Sequence, residues 1–136
     1  MQIDELIENF ELLEDWEDKY RYIIDLGNKL PPLAEEYKTE NWKVHGCQSQ
    51  VWLVPEVIGQ GANKRLDFRG DSDAIIVRGI VAIILMIFAH KSPSEIKEIA
   101  VENIFAKLGL QEHLSPSRRN GLASMAEKIR WYAANL

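Results

Sequence analysis

Apolar residues recur at helical spacing from the start of the chain. Ile3, Leu6, Ile7 and Phe10 fall on one face of a first helix, and Trp16, Tyr20, Ile23 and Ile24 on one face of a second. The second helix is expected to stop near Leu30, because Pro31 and Pro32 cannot continue it. The period then changes. Gln50 to Val57 is rich in β-formers, with Pro55 pointing to an edge position or a bulge, and Gly59 and Gly61 mark a turn. In KRLDFRG, Leu66 and Phe68 alternate with charges, as in a half-exposed strand. With a short strand near Lys43 to His45, these segments predict a small antiparallel sheet.

The remainder reads as helical. Asp71, Ser72 and Asp73 offer N-cap oxygens to a long apolar helix beginning near Ala74. Ser92-Pro93-Ser94-Glu95 is a capping box with proline at the first helical position. Gly109 ends that region, which has room for an internal break, and Ser115-Pro116 opens a last helix running towards Ala134. Helices, then strands, then helices predict an α+β fold, a small antiparallel sheet packed with helices, in one domain over residues 1–136. The segment Ala74 to Ala89 is the most lipid-like, but Arg78 interrupts it. Its sixteen residues would span about 24 Å as a helix, short of a hydrocarbon core of roughly 30 Å. A buried helix is expected there rather than a membrane span.

Composition narrows the function. The 16 Lys and Arg against 21 Asp and Glu give a net charge of −5, and no basic stripe interleaved with aromatics appears, so nucleic acid is not the expected partner. One cysteine excludes an intramolecular disulfide framework. The acidic, amphipathic N-terminus resembles neither a signal nor a transit peptide, and a cytoplasmic compartment is expected.

That cysteine, Cys47, stands in NWKVHGCQSQVWLV. Gly46 permits backbone angles other residues avoid, and Gln48, Ser49 and Gln50 are poor core fillers, which puts the thiol on a loop ahead of the apolar Val51-Trp52-Leu53. With a reference pKa near 8.5, about 3% of such a thiol is ionised at pH 7 unless its surroundings help. Lys43 and His45 lie close enough in sequence to help electrostatically, but a solvated lysine and an exposed strand histidine are the preferred readings. Cys47 with His45, His90 and His113 forms no recognised metal spacing, so no metal is expected. A cysteine hydrolase would need a base and an orienting group, and no local signature joins a histidine to Cys47.

Val44-His45-Gly46-Cys47-Gln48-Ser49-Gln50-Val51-Trp52 closely resembles the cysteine motif of SufE proteins, the sulfur acceptors of cysteine desulfurases. The likeness continues through Gly70-Asp71-Ser72-Asp73-Ala74 with Ile76, Val77 and Gly79. It returns in Leu108-Gly109-Leu110, His113 to Arg118 and Asn120-Gly121-Leu122, and Trp16 to Tyr22 followed by Leu26-Gly27 also fits. The resemblance implies an α+β fold similar to the cluster scaffold proteins and a relay rather than a stand-alone enzyme. Cys47 would accept persulfide sulfur from a PLP-dependent, SufS-like cysteine desulfurase, stimulate that enzyme and pass sulfur to an iron–sulfur scaffold. PLP belongs to the partner, and no cofactor is expected on this chain. Gly46, Gln48, Ser49, Gln50, Asp73 and Arg118 fall on motif positions associated with loop support or desulfurase docking. Asp73 could instead cap the long helix, Arg118 could balance a carboxylate such as Asp73, and His113 could serve a helix connection. A recess lined by residues such as Val51 and Trp52 would shelter the persulfide. The alternative is a binding-only regulator of a desulfurase that carries no sulfur.

Overall fold

The computed structural model describes residues 2–136. Helices α1 (Ile3–Glu11) and α2 (Trp16–Asn28) come first, followed by a short 3-10 turn at Glu35–Tyr37. Strands β1 (Val51–Ile58) and β2 (Arg65–Ser72) form a hairpin, and α3 (Ile75–Phe88), α4 (Pro93–Glu98), α5 (Val101–Lys107) and α6 (Pro116–Asn135) complete the chain. This is the expected α+β order. The α4–α5 boundary is the break for which the sequence left room.

The two strands pair in an unbroken antiparallel register from Val51↔Ser72 to Ile58↔Arg65. Pro55 therefore sits in an edge strand without a bulge, where its missing N–H disturbs no third strand. The strand expected near Lys43 to His45 shrinks to one antiparallel bridge, Lys43↔Trp52, flanked by two backbone hydrogen bonds: Val44 N–H to Val51 O (2.8 Å) and Leu53 N–H to Trp42 O (3.0 Å).

Both faces of the hairpin are covered. Val51, Leu53, Leu66 and Phe68 point into the main core, which draws side chains from all six helices. Trp52 and Val54 point the other way and pack with Leu33, Tyr37 and Trp42 of the segment preceding the hairpin. The strand periodicity of two thus feeds two clusters rather than a core and a solvent face.

Helix α3 is the central element, with most of its length buried. It meets α2 at Gly27 and Gly79. A Cβ on Gly79 would lie 2.2 Å from the Ile23 carbonyl oxygen, and one on Gly27 would lie 2.7 Å from the Gly79 nitrogen. Only glycine lets the two backbones approach this closely.

The N-cap expectation for α3 is met only in part, by Ser72 Oγ, which accepts the Ala74 N–H (3.2 Å). Asp71 and Ser72 belong to β2, and the cap position is Ala74, whose own side chain makes no capping bond. The buried Asp71 carboxylate instead accepts from Arg78 Nε (2.8 Å) and from the Ser72 N–H (2.8 Å), and lies 3.5 Å from Lys38 Nζ. Pairing is what makes a carboxylate tolerable at 7% exposure. It explains the charge that interrupts the apolar run, because Arg78 reaches back to the strand end. The capping box at Ser92 and Glu95 is formed as the sequence predicts. No described helix is long and apolar enough to cross a membrane.

Candidate functional site

The hydrogen bonds that join residues 42–44 to 51–53 close the base of a loop carrying Gly46 to Gln50. Gly46 has φ = +95°, a region that strains any residue with a Cβ. Space makes the same demand, because a Cβ there would fall 2.4 Å from Ser124 Oγ on α6. At its far end the loop is fastened twice to the corner between β2 and α3. The Gln50 N–H donates to Asp73 Oδ1 (2.9 Å), and the Asp73 N–H donates to the Gln50 carbonyl (3.2 Å). Asp73 therefore serves the cysteine loop and not the helix start.

Cys47 is a free, partly buried thiol. Its Sγ lies 3.6 Å from the Gly121 carbonyl oxygen, to which the S–H donates. Gly121 makes this seat possible, since a Cβ on it would stand 3.3 Å from Sγ and 3.7 Å from the cysteine Cβ. A glycine inside a helix weakens it by roughly 1 kcal/mol relative to alanine, and here the missing side chain makes room for the sulfur.

The thiol opens onto a recess of about 300 Å³. Gln48 and Ser49 border it from the loop, and Val77 and Ile80 from successive turns of α3. The first turns of α6 contribute Ser115, Ser117, Arg118, Gly121 and Met125. Ser115 caps that helix by accepting the Arg118 N–H (3.2 Å), which sets the direction of the wall. Burial pushes the Cys47 thiol above its ordinary pKa. The sulfur is thus held as a neutral thiol in a mixed wall, apolar towards α3 and Met125, polar towards the α6 N-terminus.

Several expected neighbours lie elsewhere. Val51 and Trp52 do not line the recess. The strand alternation sends Val51 into the main core and Trp52 to the cluster on the opposite face, and the apolar lining of the recess comes instead from Val77, Ile80 and Met125. Lys43 and His45 line a separate cleft, the exposed histidine as expected, and Glu40 lies 3.8 Å from Lys43 Nζ and 3.3 Å from His45 Nε2. Among the described residues no ion pair joins Arg118 to Asp73 or to another carboxylate. His113 stacks on Trp16 with ring centroids 4.0 Å apart, and His90 pairs with Asp67. Of the residues singled out from sequence, Gln48, Ser49 and Arg118 join Cys47 at the recess. Gly46, Gln50 and Asp73 hold the loop from behind. Sequence reasoning gave no role to Gly121, which it noted only within the family-like stretch Asn120-Gly121-Leu122.

Comparison with known proteins identifies the family. Residues 4–133 match the family model SufE, described as an Fe-S metabolism associated domain. An uncharacterized SufE-like protein of Rhizobium etli is 52% identical over 128 residues, which cover 94% of this chain and 86% of the relative. One from Rhizobium meliloti is 51% identical over 128 residues, covering 94% and 91%. The solution structure of a hypothetical protein from Thermus thermophilus superposes with a TM-score of 0.76 over 98% of this chain and 93% of that one. At 19% identity it speaks to the fold alone. A family match that runs almost from end to end, with relatives at 52% and 51% identity, places this chain in the SufE family of Fe-S metabolism associated domains.

Proposed function

We propose that the protein is a sulfur acceptor that takes persulfide sulfur from a PLP-dependent cysteine desulfurase onto Cys47, stimulates that enzyme by unloading it, and relays the sulfur to an iron–sulfur scaffold. In the first transfer the Cys47 thiolate attacks the outer sulfur of the donor's persulfide. A new S–S bond forms at Cys47, the donor's S–S bond breaks, and the donor cysteine leaves as a thiolate that takes up the proton Cys47 gave up. No oxidant is consumed, and the chain itself needs no cofactor, the PLP being the donor's.

The observation that carries this reading is the chain's single thiol seated over a recess of about 300 Å³. A second thiol nearby would discharge a persulfide as a disulfide and free sulfide, and this chain has none. The recess has ample room for one extra sulfur beside Val77, Ile80 and Met125, and Arg118 brings a positive charge to a group that ionises more readily than a thiol. The raised thiol pKa and the Gly121 bond fit a nucleophile kept quiet until the donor enzyme is engaged. In this reading Gly46, Gln50 and Asp73 support the loop, and Gln48, Ser49 and Arg118 meet the sulfur or its donor. A cytoplasmic site of action is part of the same proposal.

Intact-mass measurement after incubation with a cysteine desulfurase and L-cysteine tests it. The expected result is a gain of one sulfur atom on Cys47, reversible by reductant, with both the gain and the stimulation lost in Cys47→Ser. A Cys47→Ser chain that still stimulates most of the turnover would replace the carrier by a binding-only regulator.

A further inference from the structure

On the far side of the Cys47 loop from the recess lies a second cleft, of about 320 Å³, between residues 43–45 and α6. Its α6 wall is formed by Ser124, Glu127, Lys128 and Trp131, a stripe at helical spacing. Trp131 is 55% exposed, although tryptophan offers more apolar area to bury than any other side chain. The indole is not adrift. It packs edge-on against Tyr132, with centroids 5.6 Å apart, and Lys128 Nζ lies 4.8 Å from its ring centre. Tyr132 is in turn fixed by its hydroxyl to the Leu53 carbonyl (3.3 Å). A large aromatic held rigid on the surface costs little further entropy when a partner covers it, which is the profile of an interface anchor.

We propose that this cleft, with Trp131 as its anchor, is the docking surface for the sulfur-donating desulfurase. The inference rests on the carrier reading above and names where the donor sits. Continuity selects the occupant. Residues 43–45 form one wall and lead directly into Gly46-Cys47, and Ser124 on the other wall is the side chain against which Gly46 packs. A protein whose persulfide meets Cys47 must cover this loop. A standard interface of about 800 Å² per partner has a radius of roughly 16 Å. Trp131 lies seven residues along α6 from Ser124, about 10 Å by helical rise, and so falls inside that footprint. The neighbouring charges have partners: Glu40 sits on Lys43 and His45, and Lys128 lies over the indole, which leaves Trp131 as the one large exposed apolar side chain of the cleft.

The test is a binding titration of a purified SufS-like cysteine desulfurase with the full chain, run in a Cys47→Ser background so that no sulfur moves. Trp131→Ala is expected to weaken Kd by about tenfold or more, the loss typical of a tryptophan anchor. His45→Ala, an exposed change on the opposite wall that leaves the core untouched, should weaken it by about threefold. In the Cys47-containing chain, Trp131→Ala should raise the concentration needed for half-maximal stimulation by the same factor. An unchanged Kd in both variants overturns the docking assignment. So does a chain that dimerises through Trp131 in sedimentation at assay concentrations, because the cleft would then be covered by a second copy. Failure of the carrier reading looks different: the desulfurase still binds, with the Trp131 dependence intact, but Cys47 gains no mass.

Discussion

Replacing Gly121 by alanine probes the seat of the sulfur without touching the sulfur. The new methyl would stand 3.3 Å from Cys47 Sγ, a few tenths of an ångström too close, and the yielding partner is a loop side chain rather than packed backbone. Two terms set the stability. Alanine in place of glycine inside α6 favours the helix by about 1 kcal/mol, and the weakened S–H bond to the Gly121 carbonyl, now 3.6 Å, costs about 0.5 kcal/mol. These nearly cancel. With an unfolding entropy of about 2 cal/mol/K per residue, 1 kcal/mol is worth about 3 to 4 °C here, so Tm should move by less than about 3 °C. The thiol responds differently. Losing about 0.5 kcal/mol that favoured the protonated, seated form doubles the reactive fraction, and partial exit from the recess adds to it, for a rise of about two- to fivefold in alkylation rate. The assay is iodoacetamide labelling at pH 7 followed by intact mass, with thermal unfolding followed by circular dichroism. The wild-type thiol should label more slowly than a free cysteine, since burial raises its pKa. Labelling of Gly121→Ala at the wild-type rate with Tm unchanged would refute the seat, as would a wild-type thiol that reacts like free cysteine.

Two further outcomes are expected. Gly79→Ala drives a Cβ to within 2.2 Å of the Ile23 carbonyl oxygen and 2.4 Å of the Ile23 Cγ2, so α2 must move off α3. The cost should reach about 3 kcal/mol and lower Tm by about 10 °C. A drop under about 3 °C would show that the two helices slide apart freely. The second outcome concerns alkaline pH. The folded thiol titrates above its unfolded value, so the folded state holds its proton longer. The stability this gives is complete below an unfolded pKa of about 8.5 and is lost as pH rises through the folded value. The Tm of wild type minus that of Cys47→Ser should therefore fall between pH 8 and pH 10. Tyr132, also raised by burial, is present in both proteins and cancels. A flat or rising difference would contradict the buried, protonated thiol.

The helices and the hairpin were legible because their signals are local. Proline at 31 and 32, the Ser92-to-Glu95 box and Ser115-Pro116 each act within a few residues, and each marks an element boundary to within about two. The run Asp71-Ser72-Asp73 misled in part for the same reason. A carboxylate before an apolar helix looks like a cap, and only the fold reveals that β2 continues through Ser72 and that Asp71 answers Arg78 seven residues on. The loop could be placed from Gly46 and its polar neighbours, but its surroundings could not. The thiol's hydrogen-bond partner is 74 positions away, and the apolar walls come from α3 and α6. Proximity in sequence pointed instead to Lys43 and His45, which line a separate cleft. Val51 and Trp52 adjoin the loop in sequence, but strand alternation sends them to opposite faces and neither lines the recess.

The glycine seat on α6 bears on handling as well as on chemistry. In aerated buffer, two copies of a chain with one thiol ordinarily crosslink sulfur to sulfur. Here each sulfur is partly buried and bonded to the Gly121 carbonyl of its own last helix, which hinders a sulfur-to-sulfur approach while both loops stay docked. Covalent dimers should accumulate on a non-reducing gel only as fast as the loop lifts away, which makes the ageing of a stored sample a slow clock for that motion.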